Sequence, residues 1–176
     1  MKTVIRLLPV LILLSILNIG NAQTQPENKF DTPYGNNESI GKYTRINGAN
    51  IYYEEYGNGK PLLLIHGNSG DITSMDNQIE YFKKKYRVIV ADSRGHGKSE
   101  LKTDSLTYTQ MAKDWEGLVN HLKLDSVNII GWSDGGIIGL MMGIAAKGNI
   151  GKIVTMGANL RPDTTAVHPY AINEAK

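Results

Sequence analysis

The sequence predicts an α/β protein built on a mostly parallel, doubly wound sheet with helices on both faces. Three observations support this fold class. Four short and wholly apolar runs occur along the chain, as in strands that are covered on both sides. Stretches with helical periodicity separate these runs. An alternating β pattern precedes them, and right-handed strand–helix–strand crossovers then place the apolar strands side by side.

The elements follow one another in a regular order. Residues 43–46 and 51–56 alternate around Asn47-Gly48, which predicts a β-hairpin. The apolar runs predict parallel strands at residues 62–65, 88–91, 127–130 and 153–156. Helical spacing predicts three helices, at residues 74–85, 108–122 and 135–146. Because ligands bind at the C-terminal ends of parallel strands, we expect the site in the loops that follow these runs.

Residues 1–22 have the features of a secretory signal peptide. Lys2 and Arg6 precede an apolar run from Leu7 to Ile19, and small residues stand just before a cleavage site after Ala22. The apolar run is shorter than the about 20 residues that span a bilayer, with an uncleaved anchor as the alternative. We therefore expect a secreted or periplasmic protein with no membrane partner beyond the export signal.

The rest of the chain divides into a leader and one domain. Residues 23–41 are polar and rich in Asn, Pro and Gly, which predicts a flexible leader. Residues 42–176 are assigned to one domain. The absence of cysteine excludes disulfides and a lipid anchor on cysteine. Lys and Arg total 19 against 17 Asp and Glu, a balance that indicates no nucleic-acid partner.

The motif Gly131-Trp132-Ser133-Asp134-Gly135 matches G-x-S-x-G. It lies between a predicted strand and a predicted helix, which is the context of a nucleophile elbow rather than of a chance Gly-Ser loop. A tight turn there strains the serine backbone and exposes its hydroxyl. The glycines let the strand and the helix approach without Cβ clashes. Ser133 is therefore the candidate nucleophile.

Two further loops follow predicted strands. His66-Gly67-Asn68-Ser69-Gly70 should face the elbow, and the backbone N–H groups of Asn68 and Asp134 are the candidate donors of an oxyanion hole. We expect His66 to be structural. The loop at residues 92–99 ends in Gly-Lys-Ser and so imitates a phosphate-binding P-loop, but that motif needs glycine where Asp92 stands.

Together these three loops resemble the α/β-hydrolase family over residues 42–160. The H-G loop, the D-x-R-G-x-G-x-S loop and the G-x-S-x-G elbow come in the family's order. Residues 131–137 and 156–159 are similar to its biphenyl-hydrolase-like (valacyclovir hydrolase-like) branch. The resemblance implies the N-terminal part of an α/β-hydrolase fold, ending near the strand after the nucleophile helix. It assigns Ser133 as nucleophile and Asn68 and Asp134 as oxyanion-hole donors.

The family's order also implies a catalytic acid and a histidine after Ser133. We expect both beyond Lys176, and so expect this chain alone to be inactive. Asp163 and His168 stand in the right order, but they are too close in sequence to reach opposite sides of Ser133. His96 and His121 are no better candidates for the base.

These observations favour a secreted serine hydrolase that cleaves an ester or a similar acyl bond of a small molecule through an acyl-enzyme. No metal or organic cofactor is implied. Two alternatives are a non-catalytic binding or scaffold protein and a cofactor-free perhydrolase or acyltransferase. The Asp134 carboxylate either caps the helix or, as the branch resemblance suggests, faces a cationic group of the substrate.

Overall fold

The computed structural model describes residues 29–146 and 148–159. This part of the chain contains six strands, β1 (Lys42–Ile46), β2 (Ala49–Tyr56), β3 (Lys60–Ile65), β4 (Tyr86–Ala91), β5 (Val127–Trp132) and β6 (Ile150–Met156). It also contains three α-helices, α1 (Asp76–Phe82), α2 (Tyr108–His121) and α3 (Asp134–Ala145). All four apolar runs form strands as predicted. The runs in β3, β4 and β5 are buried, whereas Val154 and Met156 in β6 are 53% and 37% exposed.

The strands form one mostly parallel sheet in the order β1-β2-β4-β3-β5-β6. The predicted hairpin pairs β1 with β2, and β2 continues antiparallel to β4. Asn47 and Gly48 both have positive φ, 46° and 86°, as a two-residue hairpin turn requires. Strand β3 lies at the centre and pairs in parallel with both β4 and β5. The predicted doubly wound, mostly parallel sheet is confirmed.

Two hydrophobic clusters cover the two faces of this sheet. Leu63 and Ile65 point to the face that α2 and α3 cover, together with Ile89 and Ile129. Leu62 and Leu64 point to the opposite face, where α1 packs. Because successive side chains of a strand alternate between faces, only an uninterrupted apolar run can fill both clusters.

The helix predicted at residues 74–85 is divided in the structure. A 3₁₀ turn at Ile72–Met75 comes first, and α1 begins at Asp76. The Asp71 carboxylate accepts the backbone N–H of Thr73 and starts the turn before the predicted boundary. The helical pattern of buried side chains continues through both pieces, which is why periodicity alone does not separate them.

Part of the predicted flexible leader is packed against the domain. Residues 23–28 lie outside the described residues, but Tyr34 is buried and stacks edge-on against Tyr56, with ring centroids 4.9 Å apart. The backbone N–H groups of Gly35 and Asn37 donate to the Glu54 carboxylate. The leader interpretation is therefore wrong for residues 34–37. Their polar composition gives no sign of this packing, because the contacts are made by backbone N–H groups that donate to the buried Glu54.

Candidate active site

Ser133 is the single residue between β5 and α3. Its backbone has φ 50° and ψ −119°, a conformation that residues other than glycine rarely adopt. The Ser133 N–H donates to the carbonyl oxygen of Met156 at 2.7 Å, and the Ser133 carbonyl accepts the N–H of Gly136 at 2.8 Å. The strained turn is therefore held by hydrogen bonds to the next strand and to the following helix.

The two glycines of the motif allow this turn to form. A Cβ on Gly131 would lie 2.2 Å from the carbonyl oxygen of Gly135. A Cβ on Gly135 would lie 2.1 Å from the carbonyl oxygen of Ile65. In both cases the obstacle is backbone, which cannot move aside as a side chain could. The spacing of G-x-S-x-G thus follows from how closely α3 approaches β5 and β3.

The loop at residues 66–70 faces the elbow, as expected from its position after β3. A Cβ on Gly67 would lie 3.1 Å from the Cβ of Ser133, so the loop backbone lies directly against the serine. Asn68 and Asp134 line one small cleft beside Ser133. The first N–H groups of a helix have no partner within that helix, which leaves Asp134 at the start of α3 suited to bind an anion. The assignment of Asn68 and Asp134 as oxyanion donors stays a prediction.

His66 connects this loop to the loop at residues 92–99. Its Nε2 accepts the Ser93 N–H at 2.9 Å, so the ring proton is on Nδ1, which donates to the Gly67 carbonyl at 2.7 Å. Burial lowers the pKa of His66, so the ring stays neutral near pH 7. Both nitrogens are engaged by backbone groups, which agrees with the structural role expected for this residue.

Asp92 organises the third loop. Its carboxylate accepts the N–H of Ile72 at 2.9 Å and the N–H of Lys98 at 2.7 Å. Burial raises the pKa of Asp92. Gly97 packs so closely that a Cβ there would lie 2.2 Å from the Asp92 carboxylate. The Asp92 carboxylate thus already binds the backbone N–H of Lys98, a group that a P-loop would offer to phosphate. This supports rejection of the P-loop motif.

The other histidines within the described residues do not contact Ser133. His96 donates from Nδ1 to the Arg94 carbonyl at 3.0 Å, and its Nε2 lies 3.4 Å from Asn68 Oδ1. His121 lies edge-on to the ring of Tyr53, with centroids 6.4 Å apart. Asp163 and His168 lie outside the described residues. In the described part of the chain, Ser133 therefore has no imidazole hydrogen-bonded to it.

Tyr108, at the start of α2, is a residue that the sequence does not single out. Burial, then a hydrogen bond to the Asp134 carboxylate and the negative charge of that group, raises the pKa of Tyr108 to about 12. Asp134 therefore has a partner across the cleft, while Ser133, the N-cap residue of α3, makes no side-chain cap. Only the packing of α2 beside α3 brings these two helix starts together, so no local sequence signal reveals the contact.

The described residues hold no group of three or more His, Cys, Asp or Glu that could bind a metal ion. No described helix is long and apolar enough to cross a membrane.

Known proteins with similar sequences and structures include a serine hydrolase, a haloperoxidase and an esterase. The human serine hydrolase BPHL is 35% identical over 121 residues, 65% of this chain and 41% of that protein. A non-heme haloperoxidase of Rhodococcus erythropolis is 32% identical over 117 residues, 65% of this chain and 43% of that protein. An esterase from Exiguobacterium antarcticum superposes with a TM-score of 0.66 at 29% identity, covering 73% of this chain and 50% of the esterase.

The chain spans half or less of the length of each of these proteins. The family described as alpha/beta hydrolase fold matches residues 60–173, which include the three loops described above. This chain therefore belongs to the α/β-hydrolase family.

Proposed function

We propose that this chain carries the nucleophile of a secreted serine hydrolase that cleaves an ester or a similar acyl bond. The positive φ of Ser133 is the observation that carries the proposal. A strained non-glycine residue persists only where its surroundings fix it, and such residues cluster at active sites. The Ser133 hydroxyl lies next to the loop at residues 66–70, since a Cβ on Gly67 would lie 3.9 Å from its Oγ.

In the proposed reaction the Ser133 Oγ attacks the carbonyl carbon of the substrate, and its proton passes to a base. The carbon–oxygen bond to the alcohol breaks, and the alcohol leaves with that proton. Water then attacks the acyl-enzyme, which releases the acid and restores Ser133. The N–H groups of Asn68 and Asp134 stabilise the oxyanion, where loss of one donor typically costs about 3 kcal/mol of barrier. We place the base outside the described residues, because the ring contacts of His66, His96 and His121 lie elsewhere.

A perhydrolase or acyltransferase is the second candidate, and the similarity to a haloperoxidase favours it. Both reactions share the acyl-enzyme and differ in the acceptor, which is hydrogen peroxide or an alcohol instead of water. Haloalkane dehalogenation and epoxide opening are disfavoured, because both reactions use a carboxylate at the elbow, where Ser133 stands.

The acyl-enzyme is the intermediate to test first. The protein expressed from its whole reading frame would be incubated with p-nitrophenyl esters, quenched in acid and digested with trypsin. Acylation is expected on the peptide at residues 124–147, which contains Ser133. Ser133→Ala should lose both the label and the release of nitrophenol. Ser126→Ala, a change at an exposed serine of the same peptide, should keep both.

Each result separates the candidates. Label on Ser133 with water as the better acceptor supports the hydrolase, and faster turnover with hydrogen peroxide or an alcohol supports the second candidate. No label and no turnover would favour a non-catalytic binding protein.

Secretion has its own test. The protein would be expressed with its natural N-terminus in a Gram-negative host, and the exported fraction would be sequenced from its first residue. We expect it to begin at Gln23. A protein that stays in the cell and starts at Met1 would contradict export.

A further inference from the structure

Glu54 on β2 is a fully buried acid whose four hydrogen-bonding positions are all used. The hydroxyls of Tyr52 and Tyr56 donate to its carboxylate, each at 2.7 Å. The backbone N–H groups of Gly35 and Asn37 donate at 2.8 and 3.0 Å. Four donors match the capacity of an ionised carboxylate, which removes the penalty of burying that charge without partners. Residues 34–37, here called the N-terminal strap, are thereby fastened to the sheet.

Lys98 connects the same strap to the loop at residues 92–99. Its ammonium group donates to the Gly35 carbonyl at 2.7 Å and lies 4.5 Å from the centre of the Tyr52 ring. Gly35 therefore donates to Glu54 with its N–H and accepts from Lys98 with its carbonyl. The backbone N–H of Lys98 donates in turn to Asp92. The strap is thus part of the hydrogen-bond network that shapes this loop.

The strap also contacts the segment that follows the loop at residues 66–70. Gly35 has φ 77°, and a Cβ there would lie 2.9 Å from the methyl group of Thr73. His96, two residues before Lys98, lies 3.4 Å from the Asn68 side chain. The strap therefore contacts the loop at residues 92–99 directly, through Lys98, and that loop contacts the loop at residues 66–70 through His96 and Asn68.

We propose that Glu54 and Lys98 are positioning residues of the cleft, which act through the N-terminal strap to hold the loop at residues 92–99 and, through it, the loop at residues 66–70 that lies against Ser133. The proposal rests on the proposed function for its catalytic consequence. The structural part of the proposal does not depend on that function: attachment of the strap to the sheet keeps the two loops well ordered.

Hydrogen exchange measured by mass spectrometry on the full chain tests the proposal. Glu54→Gln keeps the shape of the side chain but presents an amide NH₂ to the donors around it. Lys98→Met removes the ammonium group and leaves the Glu54 contacts in place, and Lys98→Arg is its matched control. Because a hydrogen bond to a charged group is lost in each disruptive variant, amides at 66–70 and 92–99 should exchange about tenfold faster. Lys98→Arg should restore most of the protection.

The internal reference is α3, which the strap does not contact. Wild-type exchange at 66–70 and 92–99 in Glu54→Gln or Lys98→Met would overturn the proposal. Equal acceleration there and in α3 would also overturn it, because that result means general destabilisation.

Turnover gives the second readout. If esters are substrates, Lys98→Met should lower kcat at least about tenfold with little change in KM. The variant displaces the loop that carries the proposed oxyanion donor Asn68, and such a donor acts mainly in the transition state. A rise in KM at unchanged kcat would overturn the positioning role. If no acyl substrate is turned over, the proposed function fails, while the exchange rates still decide whether the strap orders the loops.

Discussion

The buried ion pair between Arg94 and Asp114 gives a stability prediction whose size follows from the structure. Arg94 is 1% exposed and Asp114 is 4% exposed. Arg94 donates from Nε to Asp114 Oδ2 at 2.6 Å and from a terminal nitrogen to Oδ1 at 2.8 Å. Its other hydrogen bonds reach the backbone carbonyls of Ile46, Asn47 and Leu101. This one side chain joins the hairpin, the loop at residues 92–99 and α2.

Asp114→Asn would leave the Arg94 charge buried with only carbonyl partners. Removing one member of a buried ion pair typically costs about 3–5 kcal/mol, because the remaining charge is desolvated and uncompensated. The two hydrogen bonds to the charged carboxylate, at about 1.5–3 kcal/mol each, give an overlapping upper bound of about 3–6 kcal/mol, because the asparagine oxygen can still accept one of them. At a urea dependence of about 2 kcal/mol per molar, the unfolding midpoint should fall by about 2 M.

Urea unfolding followed by tryptophan fluorescence is the assay, since Trp115 is buried next to Asp114 in α2. The matched control is Glu55→Gln, which breaks the ion pair of Glu55 with Arg87 at 2.6 Å. The side chains of that pair are 19% and 35% exposed, so we expect a loss below about 1 kcal/mol. Equal losses in the two variants would refute the reasoning that burial determines the cost.

Three further predictions concern the elbow and its supporting loop. Ser133→Gly should abolish acylation yet stabilise the fold by about 1 kcal/mol in the same urea assay, because glycine adopts positive φ without strain. A destabilised variant would show that the serine backbone is not strained. Gly135→Ala should destabilise by about 2–3 kcal/mol, because its Cβ meets the Ile65 carbonyl, while Gly143→Ala in the same helix should be nearly neutral, because its Cβ meets only the end of the Ile153 side chain. Burial keeps the pKa of His66 below the value of about 6.5 that it has in the unfolded chain. Because the unfolded chain then binds the proton first, the free energy of unfolding falls as the pH decreases below about 6.5. In urea titrations between about pH 7 and 5.5, His66→Gln should lose less stability than the wild type, and parallel losses would exclude this cause.

Much of the fold could be predicted because it depends on local patterns. The apolar runs that form β3, β4 and β5 each supply side chains to both faces of the sheet, and an uninterrupted apolar run in the sequence predicts that burial. The elbow could be predicted for a similar reason. Gly131 and Gly135 are needed by contacts that the strand–turn–helix geometry itself creates.

The contacts that surround the elbow could not be predicted in this way. In the sequence, Glu54 is an ordinary polar residue of a predicted hairpin strand. In the structure it is fully buried, and backbone N–H groups 17 and 19 residues earlier in the chain donate to it. The contact between Tyr108 and Asp134 depends on how two helices pack. Periodicity reports which side chains are apolar, whereas these pairings depend on long-range geometry.

Three buried carboxylates show what such pairings do for the cleft. Glu54 fastens the N-terminal strap, Asp92 joins the segment after β3 to the loop after β4, and Asp114 with Arg94 joins that loop to the hairpin and to α2. Glu54 and Asp92 accept backbone N–H groups outside the sheet, which would otherwise lack partners. Asp114 acts through the Arg94 side chain, which donates to backbone carbonyls of the hairpin. Apolar packing fixes the sheet and its helices, but it does not direct loops. The positions of the loop at residues 66–70, which lies against Ser133, and of the loop at residues 92–99 therefore depend on these acids, and variants of Glu54 should loosen both loops before they affect the sheet.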